Sequence, residues 1–179
     1  MSEEIGAFEV LLDLSNRGES IALDLPTLDD TQTHWTGLGF SLIGQRFVAP
    51  MDEVAELMRM PQATRVPGVK DFVVGVGNVR GRLMSILDLD VYFDESSSLP
   101  RGQRRVIAYE IEEHYMGFMI DESLGMQHFP SDTFQEDIGD IADMFKPFVR
   151  GSYQVAGTQW PVLSLEALAQ NPNFEKLAS

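Results

Sequence analysis

The chain has 179 residues, of which 44% are hydrophobic and 23% charged, a composition typical of a soluble globular protein rather than a disordered one. It contains no cysteine, which excludes disulfides, thiol nucleophiles and cysteine-ligated metal centres. Thirteen basic and 28 acidic side chains give a net charge of −15, so we expect no binding to nucleic acid or to anionic membrane surfaces.

The charges are unevenly distributed along the chain. Residues 1–34 contain eight acids and one base, and residues 106–145 contain ten acids and no base. Residues 59–105 contain eight of the thirteen bases against five acids. This basic region serves either solubility or an oriented docking surface. Its bases are Arg59, Arg65, Lys70, Arg80, Arg82, Arg101, Arg104 and Arg105.

The N-terminus shows no targeting segment. MSEEIGAFEV is acidic and lacks the cationic start and apolar core of a signal peptide. No apolar run reaches the ~18 residues that span a bilayer. We therefore expect a cytoplasmic protein without direct membrane insertion. Residues 1–34 form an acidic extension in which Ala7–Leu14 could make a short helix.

From Trp35 onward the pattern predicts many short strands separated by glycine and proline. Residues 51–60 fit either one or two helical turns or a bulged strand, and residues 126–147 read as irregular and acidic. Ser164 is a candidate N-cap for a last short helix. We expect strands within residues 37–50, 72–76, 83–89, 105–109, 116–121 and 148–165, with turns at 44–46, 77–81 and 112–114.

An internal repeat indicates two similar halves. Residues 72–89, FVVGVGNVRGRLMSILDL, and residues 148–165, FVRGSYQVAGTQWPVLSL, share seven identities in eighteen positions without a gap. The shared glycines fall where a tight turn needs a positive φ, and the shared apolar residues fall on the flanking strands. Each half is therefore a small β unit built around one strand–turn–strand.

No catalytic or metal-binding motif is complete. The glycines of residues 75–81 are not followed by the helix that a phosphate-binding loop requires. The three histidines lack zinc-ligand spacing. Asp88, Asp90 and Asp94 could offer oxygen ligands to a hard cation, although the calcium-loop spacing is absent. A small-ligand- or metal-binding β-barrel enzyme using Asp88 and Asp90 thus stays an alternative to a binding module. The cluster Met51, Met58 and Met60 fits either core or an adaptable groove.

The segment Gly75–Leu89 resembles the GVxNLRGxxxPxxDL signature of CheW-like coupling domains. Similar pieces in the same order include FSLIGQRFVAPMDEVAEL, Val66-Pro67-Gly68, GFMIDESLGM and FVRG, so the resemblance covers roughly residues 36–170. Ser85 and Ser164 stand where the family usually has proline and aspartate, and Val79 replaces leucine. The extension, WTGLGF and MQHFPSDTF resemble the CheW-like proteins of type IV pilus twitching-motility systems.

The resemblance implies an all-β fold of two intertwined five-stranded, SH3-like barrels over residues 35–179, with short helices at both termini. It implies a non-catalytic adaptor, without cofactor or metal, that joins the regulatory domain of a CheA-type histidine kinase to the cytoplasmic tip of a chemoreceptor. The expected location is cytoplasmic, at membrane-associated receptor arrays.

Carried over by position, the resemblance places partner-binding residues in two segments. Val54, Glu56 and Leu57 would lie on the receptor- or kinase-facing surface of the first barrel, and Asn78, Arg80 and Gly81 at the turn beside the groove between the barrels. Alternatives for two of them are that Arg80 pairs within its own fold and that Val54 belongs to the core.

Overall fold

The computed structural model of the chain describes residues 33–176, so the helix expected at Ala7–Leu14 lies outside the described residues. Twelve strands and a few short helices make up this part, as an all-β fold requires. The strands are β1 His34–Leu42, β2 Gln45–Pro50, β3 Glu56–Arg59, β4 Ala63–Thr64, β5 Val73–Val79, β6 Arg82–Asp88, β7 Arg105–Ile111, β8 His114–Ile120, β9 Glu122–Pro130, β10 Phe134–Gln135, β11 Val149–Val155 and β12 Thr158–Leu163.

Short helices lie between the strands and at the end of the described chain. The α-helices are α1 Leu89–Tyr92, α2 Leu165–Ala169 and α3 Pro172–Glu175, and the 3-10 helices are Arg101–Gln103, Ser131–Thr133 and Asp143–Phe148. Ser164 is the N-cap of α2, as the sequence predicts, because its side chain accepts a hydrogen bond from the Ala167 amide.

The strands form two six-stranded sheets. Sheet A has the order β10-β11-β12-β2-β1-β9, and sheet B has the order β3-β7-β8-β6-β5-β4. Each sheet has the five strands that the family resemblance implies. In addition, each has one strand of two residues, β10 in sheet A and β4 in sheet B. All pairings are antiparallel except β12 with β2 and β6 with β8.

The two sheets are built by exchange between the halves of the chain. The hairpin β1–β2 from the first half joins β9–β12 in sheet A, and the hairpin β7–β8 from the second half joins β3–β6 in sheet B. In reverse, the order of sheet A is β9-β1-β2-β12-β11-β10. Each of these strands is equivalent to the strand at the same place in the order of sheet B, β3-β7-β8-β6-β5-β4. The repeat expected from residues 72–89 and 148–165 corresponds to β5–β6 and β11–β12, so the two halves are intertwined.

Equivalent hairpins use the same tight turn. Arg80 and Gly81 join β5 to β6 with φ of 54° and 82°, and Ala156 and Gly157 join β11 to β12 with φ of 51° and 77°. Two successive residues with positive φ are the geometry of a type I′ turn, whose twist matches that of the flanking strands. The repeated glycine is therefore explained by the backbone conformation of this turn.

Three apolar clusters fill the structure. A central cluster contains side chains from both sheets, including Phe40 and Phe47 of sheet A and Leu87 and Phe118 of sheet B. Smaller clusters lie within sheet B, around Met84, and within sheet A. The methionines that the sequence left open pack on these clusters, with Met58 and Met60 against the cluster of sheet B and Met51 against the central one.

The structure corrects the expectation for residues 126–130 and decides between the two alternatives for residues 51–60. Residues 126–130, expected to be irregular, belong to β9, which pairs with β1 along its length. Much of β9 is exposed, so it lacks the alternation of apolar and polar residues by which a half-buried strand is recognised. Residues 51–60 contain a turn followed by β3 rather than helix.

A buried carboxylate ties the connection between β2 and β3 to the C-terminal helix α2. Glu53 accepts a hydrogen bond from the Ser164 hydroxyl at 3.0 Å and another from the Leu165 amide at 2.7 Å. Acceptors at a helix N-terminus satisfy amides that have no partner within the helix. Glu53 therefore joins the first half of the chain to the last helix.

We predict that Ser164→Ala lowers the free energy of unfolding by about 1–2 kcal/mol, because it removes the helix cap and leaves Glu53 with one donor fewer. Urea denaturation measures the change. Ser131→Ala is the matched control, since Ser131 begins a 3-10 helix in which no side-chain cap bond forms, and it should change the free energy by less than about 0.5 kcal/mol. Equal effects of the two substitutions would contradict the capping role.

Candidate functional site

Two of the predicted site residues form an ion pair. Glu56 is the first residue of β3, and Arg80 lies at the tip of the turn between β5 and β6. The Arg80 Nη2 and Glu56 Oε1 atoms are 2.6 Å apart, with 77% of the arginine side chain and 28% of the glutamate side chain exposed. Arg80 thus pairs within its own fold, which was one of its two interpretations, and still presents most of its surface to solvent.

Asn78 and Gly81 shape the turn that carries Arg80. The Asn78 Oδ1 atom accepts a hydrogen bond from the Gly81 amide at 2.9 Å. Nothing lies within 4 Å of where a Gly81 side chain would begin, so the glycine is required by its φ of +82° and not by lack of space. Both residues therefore fix the backbone of the turn and, through it, the position of Arg80.

The two apolar residues of the predicted site separate in the structure. Leu57 is 36% exposed, so its side chain is available to a partner. Val54 is half-buried and packs against the central cluster, which matches the alternative that it belongs to the core. The structure therefore brings Glu56, Arg80, Asn78 and Gly81 together and leaves Val54 as support for the start of β3.

Sequence reasoning missed a second set of residues at the same end of sheet B. Arg82, the first residue of β6, lies 2.8 Å from Glu110 and covers the Tyr115 ring with its guanidinium carbon 4.6 Å from the ring centroid. Leu83 beside it is 71% exposed. The basic region contained Arg82, but nothing in the sequence indicated its partner on β7. We name Glu56, Arg80, Arg82, Leu83 and Glu110 the turn-end surface.

The opposite end of sheet B contains a buried charged network centred on Arg104. Its guanidinium nitrogens lie 3.0 Å from Asp88 Oδ1 and 2.8 Å from Asp90 Oδ1. Its Nε donates a hydrogen bond to the Ile120 carbonyl and lies 3.6 Å from Asp121 Oδ1. The side chains of Arg104, Asp88 and Asp90 are all buried. A planar guanidinium can satisfy several such acceptors at once.

Asp121 connects this network to sheet A. Its Oδ2 atom accepts a hydrogen bond from the Ile43 amide at 2.9 Å, in the turn between β1 and β2. Its own amide donates to the Ser41 carbonyl at 3.0 Å. The charged network therefore lies where the hairpin of one sheet meets the strand ends of the other.

Asp90 is the least satisfied member of the network. Its Oδ2 atom is buried and has no hydrogen-bond partner in the structure. Burial raises the pKa of the Asp90 carboxyl from its ordinary value of 3.8 to about 6, against the opposing effect of Arg104 and with smaller contributions from Asp121 and Asp88.

The geometry argues against the alternative site at Asp88 and Asp90. One oxygen of each carboxylate already binds the Arg104 guanidinium, whose positive charge repels a metal ion. Among residues 33–176 no group of three histidine, aspartate or glutamate side chains is placed to hold a metal. The aspartates of this motif act in the fold, as partners of a buried cation and, for Asp88, as the N-cap of α1.

Comparison with known proteins gives a consistent result. Residues 36–173 match the CheW-like domain family. Protein PilI of Pseudomonas aeruginosa is 40% identical over 178 residues, which are 99% of this chain and 99% of PilI. The chemotaxis protein CheW of Thermotoga maritima is 25% identical over 137 residues, covering 74% of this chain and 86% of that protein.

The fold is also shared with a solved structure. The scaffolding protein TtCheW of Thermoanaerobacter tengcongensis superposes with a TM-score of 0.69 at 20% identity, covering 82% of this chain and 100% of TtCheW. Within the part of the chain that the structure describes, no helix is both long and apolar enough to cross a membrane.

We predict that Asp90→Asn removes a component of the pH dependence of stability. Because the folded pKa of Asp90 lies above its unfolded value, its contribution to stability is fully present below about pH 4 and is lost as the pH rises through about 6. The free energy of unfolding of the variant relative to wild type should therefore rise between pH 4.5 and pH 7, by on the order of 2 kcal/mol.

Urea denaturation at the two pH values measures this difference. Asp94→Asn is the matched control, because Asp94 is exposed and has a positive φ that asparagine also adopts. A difference between Asp90→Asn and wild type that stays constant with pH would contradict the raised pKa.

Proposed function

The chain belongs to the CheW-like domain family, and from this membership we propose that it is a non-catalytic adaptor of chemosensory signalling. Its proposed partners are the regulatory domain of a CheA-type histidine kinase and the cytoplasmic tip of a chemoreceptor. It would act in the cytoplasm at membrane-associated receptor arrays. The observation that carries the proposal is the family match over residues 36–173, which spans both sheets.

We further propose that the array controls type IV pilus twitching motility. The similarity to Protein PilI covers 99% of both chains and so includes the acidic extension, whereas the similarity to the CheW of Thermotoga maritima covers 74% of this chain. Protein FrzA of Myxococcus xanthus, also a relative, is 25% identical over 133 residues. A relative that matches across the extension is the better guide to the signalling system.

The turn-end surface, together with Leu57, is the proposed contact for one partner. Surface ion pairs contribute only about 0–1 kcal/mol to stability, so the Glu56–Arg80 pair is not needed to hold the fold. Both charges can instead be used in binding, since a guanidinium makes directional hydrogen bonds to a partner carboxylate. Exposed Leu57 and Leu83 add apolar area of the kind that binds a partner helix or strand.

The six residues implied by the resemblance take different roles in this proposal. Glu56, Leu57 and Arg80 touch the partner. Asn78 and Gly81 hold the turn in the conformation that presents Arg80. Val54 packs on the central cluster and positions the start of β3.

We predict that Arg80→Glu weakens binding to the regulatory domain of a CheA-type kinase from the same genome by at least about tenfold, the loss of roughly 1.4 kcal/mol. The reversed charge would repel Glu56 and any partner carboxylate that Arg80 binds. Isothermal titration calorimetry measures the dissociation constant. Arg46→Glu is the matched control, an exposed arginine of sheet A with the same change in net charge, and it should bind as wild type does.

The double variant Glu56→Arg with Arg80→Glu separates binding from folding. It restores an ion pair within the chain, so its thermal midpoint should match wild type, yet it exchanges the two charges that a partner meets. Kinase binding should therefore stay weak. Wild-type affinity in both Arg80→Glu and the double variant would remove the turn-end surface from the kinase contact. No binding by wild type up to about 100 μM would contradict the proposed partner.

A further inference from the structure

The basic region of the sequence divides between the two ends of sheet B. At one end Arg80 and Arg82 are paired with Glu56 and Glu110 on the turn-end surface. At the other end Arg104 is buried with Asp88 and Asp90. The five remaining bases of the region are Arg59, Arg65, Lys70, Arg101 and Arg105, of which Arg101 reaches the Arg104 network only through a 4.0 Å approach to Asp88.

The strand register places Arg59 and Arg105 at this second end of sheet B, and a shared cavity beside the start of β5 groups Arg65, Lys70 and Arg101. Arg59, at the end of β3, lies directly opposite Arg105, at the start of β7, and Arg105 is in turn paired with Ile120 at the end of β8. Along the same end, Val73 at the start of β5 pairs with Leu87 next to the end of β6. We name Arg59, Arg65, Lys70, Arg101 and Arg105 the cationic end.

The Arg59–Arg105 pair is unfavourable as it stands. Like charges directly opposite each other on antiparallel strands repel and destabilise the sheet. Among the described residues neither arginine has a carboxylate partner, and Arg105 donates only to the carbonyls of Gln103 and Arg104. Arg59 is exposed on β3, an outer strand of sheet B. Bound anions would remove this repulsion.

The other three bases surround a cavity of about 190 Å³ at the connection that leads into β5. Arg65 has no carboxylate partner among the described residues, and Lys70 donates to the Asn173 carbonyl at 3.1 Å. Arg101 is 4.0 Å from Asp88, which already binds Arg104. Among the described residues that line the cavity, Asp71 is the one that carries a carboxylate. The cavity is therefore positively charged in a chain whose net charge is −15.

We propose that the cationic end is a docking site for an acidic segment of a partner protein. From β3 to β5 the sheet end spans about 20 Å at the usual strand spacing, which matches roughly six residues of extended chain. Charges spread over this length fit several carboxylates in a row rather than one small anion. The acidic character of the whole chain disfavours a nucleic acid or an anionic membrane. The proposal does not depend on a kinase contact at the turn-end surface.

The test uses a fluorescein-labelled peptide of eight glutamates and fluorescence anisotropy at about 50 mM salt, where charge interactions are weakly screened. Wild type should bind the peptide, and Arg59→Gln with Arg105→Gln should raise the dissociation constant about tenfold. The matched control is Arg46→Gln with Lys146→Gln, which also removes two positive charges but at positions outside sheet B. Its dissociation constant should stay within about twofold of that of wild type.

Stability distinguishes a docking site from a structural one. Removing the repulsion between Arg59 and Arg105 should leave the thermal midpoint of the double variant unchanged or raise it by about 2 °C. A large fall in the midpoint would mean that the arginines act in folding and would overturn the proposal.

Four other results would also overturn it. Equal loss of peptide binding in both double variants would reduce the effect to net charge, and no binding by wild type would remove the site. Displacement of the peptide by inorganic phosphate, but not by chloride at the same ionic strength, would assign the site to a small oxyanion. Self-association of wild type that is lost in the Arg59→Gln, Arg105→Gln variant would assign it to a second copy of the chain.

Discussion

Each sheet is completed by a hairpin that comes from the other half of the chain. Neither half can complete a sheet alone, because the parallel pairs β6–β8 and β12–β2 each join strands from different halves. The central apolar cluster draws side chains from both sheets, and the Arg104 network reaches the turn of the exchanged hairpin through Asp121. Folding of one sheet therefore requires the other.

This construction fixes the surfaces of sheet B in relation to its strands. The turn-end surface combines residues of β3, β6 and β7 with the turn before β6, and its ion pairs Glu56–Arg80 and Arg82–Glu110 each join segments distant in sequence. Two of these strands, β3 and β7, carry Arg59 and Arg105 of the cationic end at their other termini. One sheet thus presents two ion pairs at one end and, at the other, a group of positive side chains with few carboxylate partners among the described residues.

The sequence was most informative where structure depends on local residues. The repeated glycine predicted equivalent turns, Ser164 predicted a helix cap, and the signature around Asn78–Gly81 indicated the family. The resemblance implied intertwined barrels, but the sequence did not predict which strands are exchanged, because β1–β2 and β7–β8 show no repeat like that of residues 72–89 and 148–165. The partners of Arg104 were missed since Asp88 and Asp90 lie 16 and 14 residues away and meet it only after β6 and β7 have joined the sheet. Much of β9 is exposed, so its composition resembled a loop.

The most direct test of the adaptor account is whether one molecule of the chain binds both proposed partners at once. Wild-type protein would be mixed with a kinase regulatory domain and a receptor-tip fragment from the same genome, and the complex mass measured by light scattering after size-exclusion chromatography. If the chain couples the two partners, a ternary complex heavier than either pairwise complex forms. Pairwise complexes that exclude each other, or the absence of either one, would contradict a coupling role.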